Sequence, residues 1–133
     1  MRVIVDTNIL ISAVVLKSPP IRGLIDKILS KHKLIITDSI INETQTVILR
    51  KWPNKLDALY EFLSSVGYEH GEIDADNLYF EIRDPKDQHI LFSAHALQAD
   101  VLITGDKDFF DLKAKYDFEI LSPADFLRKY PPN

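Results

Sequence analysis

The sequence predicts an α/β domain with a mostly parallel sheet, and three observations carry that prediction. Three apolar runs rich in β-branched residues, Val3–Val5, Leu34–Thr37 and Val101–Thr104, are unbroken rather than alternating, as strands covered on both faces are. The stretches between them carry apolar residues at helical spacing, and strands alternating with helices build right-handed βαβ units. Finally, 133 residues, 46% hydrophobic and 27% charged, suit one core. No linker, repeat or low-complexity tract divides the chain, so residues 1–133 read as a single domain.

Taken in order, the strand Val3–Val5 leads into a helix over Asn8–Leu16. Ser18-Pro19-Pro20 ends that helix and starts the next, Ile21–Ser30, because proline interrupts a helix interior but suits a first turn. Leu34–Thr37 is the second strand. A helix over Ile40–Arg50 comes next, and Trp52-Pro53 separates it from a helix over Leu56–Ser64. Trp52, the single tryptophan, reads as a packing anchor between helices. Within Gly67–Ile82 a turn, a short strand near Glu69–Ile73 and a short helix are expected. Gln88–Gln98 is helical, Val101–Thr104 is a strand, and Phe118–Leu121 is a weaker one. Ser122-Pro123-Ala124-Asp125 reads as an N-cap, a first-turn proline and a carboxylate reaching back. It opens a last helix, Pro123–Lys129, which Pro131-Pro132 ends.

Several function classes drop out. No apolar run approaches the ~20 residues of a membrane span, and no membrane association is expected. The apolar segment after Arg2 is interrupted by Asp6, Thr7 and Asn8, and no small-residue cleavage pattern comes after it. There is no cysteine, hence no disulfide framework and no thiolate metal site, which fits a cytoplasmic protein. A net charge of −4 counts against a broadly basic nucleic-acid surface. Carboxylates gathered at a metal site would lower the total, however. Lys17, Arg22, Arg50, Lys51, Lys86 and Lys107 form either a local basic rim or scattered solvated charges. GxSxG, Walker and GxGxxG motifs are absent. His32, His70, His89 and His95 have no metal-ligand spacing and read as surface or packing residues. The aromatic residues form no stacking-platform pattern.

The informative pattern lies at the carboxyl end of each strand. Val5 is succeeded by Asp6, Thr37 by Asp38 and a helix carrying Glu43, and Thr104-Gly105 by Asp106. Parallel strands end on one edge, where open α/β sheets bind ligands, so acids remote in sequence can converge there. Each acid also has a plainer role. Asp6 can cap the helix next to it, although Thr7 and Asn8 can do so too. Glu43, at the border of the stripe Ile40, Ile41, Val47 and Ile48, can be a solvated flank. In Asp84-Pro85-Lys86-Asp87, Asp84 is a good N-cap and Asp87 sits where a capping-box acid would. Asp106-Lys107-Asp108 can be an ordinary surface turn.

Together, Val5-Asp6-Thr7-Asn8-Ile9-Leu10, the helix-borne Glu43, Arg83-Asp84-Pro85-Lys86-Asp87 and Ile103-Thr104-Gly105-Asp106-Lys107-Asp108-Phe109 resemble the PIN-domain nucleases. The likeness is to the small prokaryotic toxin–antitoxin proteins of VapC type, and the motifs keep the family's order over nearly the whole chain. It implies a three-layer α/β/α fold around a parallel sheet of about five strands. It implies an endoribonuclease whose Mg²⁺ or Mn²⁺ is held by Asp6, Glu43, Asp87 and Asp106. Asn8 and Thr104 match the small polar positions expected to orient carboxylates or water. Asp84 is a cap or an additional ligand, and Asp108 assists or replaces Asp106.

The chemistry is coherent. Two carboxylates ~5 Å apart repel by roughly 3 kcal/mol at an effective dielectric near 20, so four in one pocket call for protons or a cation. Oxygen ligands favour Mg²⁺ or Mn²⁺ over zinc. The partners implied are an RNA substrate, a cognate antitoxin protein and a second copy in a homodimer. Ile21, Leu24 and Leu63 are apolar positions that serve either such an interface or the core. The competing readings are an RNA-processing PIN nuclease without an antitoxin and a non-catalytic PIN-like module that binds RNA or protein. A haloacid-dehalogenase-type phosphatase ranks low, because its second aspartate would stand where Asn8 does.

Overall fold

The computed structural model describes residues 1–71, 85–110 and 116–131, and for residues 85–88 the backbone alone. Its centre is a five-stranded, all-parallel sheet of β1 (Arg2–Val5), β2 (Lys33–Thr37), β3 (Glu69–Gly71), β4 (Val101–Ile103) and β5 (Glu119–Leu121), ordered β3-β2-β1-β4-β5. Val3, Ile4, Val5, Leu34, Ile35, Ile36, Val101, Leu102 and Ile103 are all fully buried. Successive strand residues point to opposite faces, so consecutive burial means that helices cover both sides. That is the physical content of the unbroken apolar runs.

The covering helices are α1 (Thr7–Val14), α2 (Pro19–Lys31), α3 (Asp38–Lys51), α4 (Leu56–Ser65), α5 (Pro85–Ala96) and α6 (Pro123–Lys129), giving a three-layer α/β/α architecture. Helices α1, α3 and α4 pack on one another, and α2 packs on α6. Leu24 is buried, and Ile21 and Leu63 are partly buried against the core. Among the described residues, no single helix is long and apolar enough to cross a membrane.

Two helices stop earlier than expected, each ahead of a left-handed residue. The first helix stops at Val14, not Leu16, and Lys17 turns to φ 50° just before Ser18-Pro19. Helix α5 stops at Ala96, not Gln98, because Gln98 takes a left-handed conformation at φ 55°. There Ala99 N–H bonds to the Ala94 carbonyl (2.9 Å) and Gln98 N–H to that of His95 (3.1 Å). This is a Schellman stop with glutamine in the place glycine usually fills, so the usual residue signal is missing. The strand expected near Glu69–Ile73 is β3, and the short helix expected after it falls outside the described residues.

Candidate functional site

The chain runs from β1 to β2 and β3 on one side of the sheet, then returns to β4 and β5 on the other. Between β1 and β4 the order reverses, and the crevice beyond the carboxyl ends at such a point is where open α/β sheets bind ligands. The register pairs Val5 with Ile103, so Asp6 and Thr104, each the next residue, emerge side by side. On the other flank Ile4 pairs with Ile35, which brings Thr37 and the start of α3 level with Asp6.

Asp6 is itself the N-cap of α1, its Oδ1 accepting from Ile9 N–H at 3.1 Å. Thr7 and Asn8 do not take over that task, contrary to the possibility raised by the sequence. Its other oxygen, Oδ2, accepts from the Thr104 hydroxyl. The same Thr104 oxygen accepts from Asp106 N–H at 3.1 Å. Asp106 in turn caps the 3₁₀ turn Lys107–Phe109, its Oδ1 accepting from Asp108 N–H at 2.9 Å. Each carboxylate oxygen has two lone pairs, so these bonds fix the acids and leave acceptor capacity for a ligand.

Asp6, Glu43 and Asp106 line one cavity of about 60 Å³, together with Thr7, Asn8, Thr37, Ser39, Ile40, His89, Ile90 and Phe109. That volume is well above the ~10–15 Å³ one water requires. Glu43 is exposed on α3, as a solvated flank is, and it also reaches this lining. Asp108 is absent from the lining. Asp84 and the side chain of Asp87 lie outside the described residues; α5 begins at Pro85, as a first-turn proline predicts.

Burial pushes the Asp6 carboxyl above its ordinary range. The Thr104 and Ile9 hydrogen bonds oppose that rise, and the charges of Asp106 and Glu43 add to it. Among the described residues no Lys or Arg lines the cavity. The Thr7 hydroxyl is buried with no hydrogen-bond partner among the described residues, and an unsatisfied buried donor of this kind is uncommon. Three acids and a buried hydroxyl without a partner, with no counter-cation among the described residues, make a donor set whose oxygen chemistry fits a hard divalent ion. Among the described residues no three His, Cys, Asp or Glu side chains are grouped so as to hold a metal ion by themselves.

Sequence reasoning passed over Thr7, Thr37, Ser39 and His89 as lining residues. Thr37 and Ser39 flank the start of α3 and Thr7 is next to Asp6, so their neighbourhood to the acids was a readable signal. His89 sits two residues after Asp87 on α5, whereas its helical spacing from His95 said nothing of which neighbour it would face.

The family described as PIN domain matches residues 2–108. Among solved structures, a chain of the VapBC2 complex of Rickettsia felis bound to a DNA fragment from its promoter matches with a TM-score of 0.74 at 19% identity, covering 92% of this chain and 98% of that one. A chain of DNA-bound VapBC from Salmonella typhimurium matches with a TM-score of 0.69 at 17% identity, with coverage of 92% and 98%. Among curated protein sequences none matches this chain.

Proposed function

This chain belongs to the PIN domain family, and from that premise we propose that it is a metal-dependent endoribonuclease, the toxin of a toxin–antitoxin pair. The observation that carries the catalytic part is the meeting of Asp6, Glu43 and Asp106 in one cavity, with no Lys or Arg among its described lining residues. Burial and like charge both disfavour the ionised Asp6, so a cation is the natural complement. Asp6, Glu43, Asp106 and Asp87 would hold Mg²⁺ or Mn²⁺. An ion held there would supply Lewis-acid polarisation of a phosphate oxygen and a lowered pKa for water.

The residues of the chain supply placement. Thr104 holds Asp6 through its hydroxyl and Asp106 through that residue's N–H. Ile9 N–H holds the other oxygen of Asp6, so the carboxylates need little reorganisation when substrate arrives. Asn8, on the first turn of α1, lines the cavity and orients water or a carboxylate. No side-chain nucleophile is required. In-line attack by water expels the 3′ oxygen and leaves a 5′-phosphate and a 3′-hydroxyl.

The toxin part rests on likeness to chains of VapBC complexes, and the partner is an antitoxin protein that blocks the cavity; a homodimer of this chain is part of the same reading. The test is cleavage of RNA with Mg²⁺ or Mn²⁺, with and without chelator, beside Asp6→Asn. Metal-dependent cutting abolished by the substitution is the expected result. Equal cutting by both proteins would refute the assignment. Neutralisation of that cutting by the product of an adjacent small gene distinguishes a toxin from an RNA-processing nuclease.

A further inference from the structure

Of the four histidines, three have ring partners. His32 Nδ1 meets the N-terminal amine and its ring stands edge-on to Phe126 and Tyr130. His70 Nε2 bonds to Asp38, and His95 Nδ1 lies 2.9 Å from Asp117 Oδ2. His89 differs. Its carbonyl accepts from the buried Ser93 hydroxyl at 2.6 Å, which ties its backbone into α5, but its ring pairs with no described residue. His89 is half-buried and lines the cavity of Asp6, Glu43 and Asp106.

A phosphodiester entering this cavity meets anionic oxygens that repel it, and a cation shared among the acids compensates only where the ion sits. Among the described residues the remaining lining offers few side-chain donors: the Thr7 and Ser39 hydroxyls, the Asn8 amide and His89. Thr37 is committed to capping α3, where its hydroxyl oxygen accepts from Ile40 N–H at 3.2 Å. Imidazole always carries at least one ring N–H, so no change of protonation is needed for it to donate to a phosphate oxygen. It also stands on a second element, remote in sequence from the β1 and α3 acids, and on a helix whose backbone position is fixed.

We infer that His89 is a substrate-binding residue of this site, its ring N–H donating to a non-bridging phosphate oxygen of the nucleic-acid strand held at the acid cavity. The inference rests on the nuclease reading of that cavity. It separates two tasks: the carboxylates take the cation, and His89 takes the phosphate. Loss of a hydrogen bond to a charged group weakens binding on the order of ten-fold.

The test compares wild type, His89→Leu, His89→Gln and Asp6→Asn. Each is measured for manganese binding by calorimetry, for affinity toward a labelled random-sequence RNA pool in Ca²⁺, and for cleavage in Mn²⁺. His89→Leu is expected to lower RNA affinity and raise KM about ten-fold while the manganese heat stays unchanged. His89→Gln, which keeps an N–H donor, is expected to recover most of that loss. Wild-type affinity and KM in His89→Leu would overturn the inference. So would loss of the manganese heat, which would make His89 a metal ligand, or a glutamine variant as impaired as the leucine one. Thermal melting separates any folding defect, and a poorly folded leucine variant leaves the glutamine and an alanine variant to decide. Unchanged cutting by Asp6→Asn refutes the nuclease assignment instead, and the RNA-affinity arm then decides His89 without it.

Discussion

The Thr104 hydroxyl donates to Asp6 Oδ2 at the point where β1 and β4 end side by side. Both residues are buried, and the bond links positions 98 residues apart in sequence. Removing one partner of such a pair strands a buried charged acceptor, which costs roughly 1.5–3 kcal/mol. Thr104→Val is therefore expected to lower stability by about that amount in chelator, with cleavage reduced at least ten-fold. Thr104→Ser, which keeps the oxygen, should lie near wild type. Chemical denaturation and single-turnover cleavage check both.

The raised carboxyl of Asp6 fixes the sign of a pH effect. With its folded-state value above the ordinary 3.8, the native state binds more protons than the unfolded chain between those two values. Stability from this group is thus full below about 3.8 and declines as pH rises through the folded value. Without divalent metal, Asp6→Asn should remove that decline and melt higher than wild type at neutral pH. Adding Mn²⁺ should raise the melting temperature of wild type but not of the variant. Thermal melts across pH, with chelator and with Mn²⁺, provide the measurement.

Thr7 offers a contrast with Thr104. Its buried hydroxyl has no partner among the described residues, so Thr7→Val discards a donor that contributes nothing to the fold. Stability in chelator should be unchanged or higher by up to about 1 kcal/mol. If the hydroxyl serves the ligand of the cavity, manganese affinity or cleavage falls in the same variant. Denaturation and calorimetry on one preparation read both effects.

Gly23 lies inside α2, where an added Cβ would meet nothing within 4 Å. Glycine in a helix interior is roughly 0.5–1 kcal/mol less favourable than alanine. Gly23→Ala is expected to stabilise the protein by about that amount and to leave cleavage unchanged, as denaturant titration and the RNA assay would record.

At the opposite edge of the sheet, the Arg2 guanidinium grips Glu69 through two bonds of 2.9 and 2.5 Å. The Arg2 hydrogen bond is the main reason the Glu69 carboxyl lies below its ordinary value of 4.5. The pair's contribution is present above 4.5 and is lost as pH falls through the lowered value. Both side chains are about a third exposed, so the effect is small. Glu69→Gln should flatten the acid end of the stability profile and leave cleavage intact.

Much of this protein is legible in its sequence because local chemistry decides it. Unbroken β-branched runs specify strands buried on both faces, and Ser122-Pro123 specifies the start of α6 at the expected residue. Asp6, Glu43 and Asp106 come just after strands or in the helices that these strands lead into, so a parallel sheet alone carries them to one edge. Tertiary structure decided the rest. The left-handed stop at Gln98 carries no glycine to announce it. That Asp6 both caps α1 and bonds Thr104 depends on the register of two strands nearly a hundred residues apart. His89 reached the acid cavity for a similar reason: the packing of α5 beside α3 sets which way a helical side chain faces, and spacing along one helix does not contain that relation.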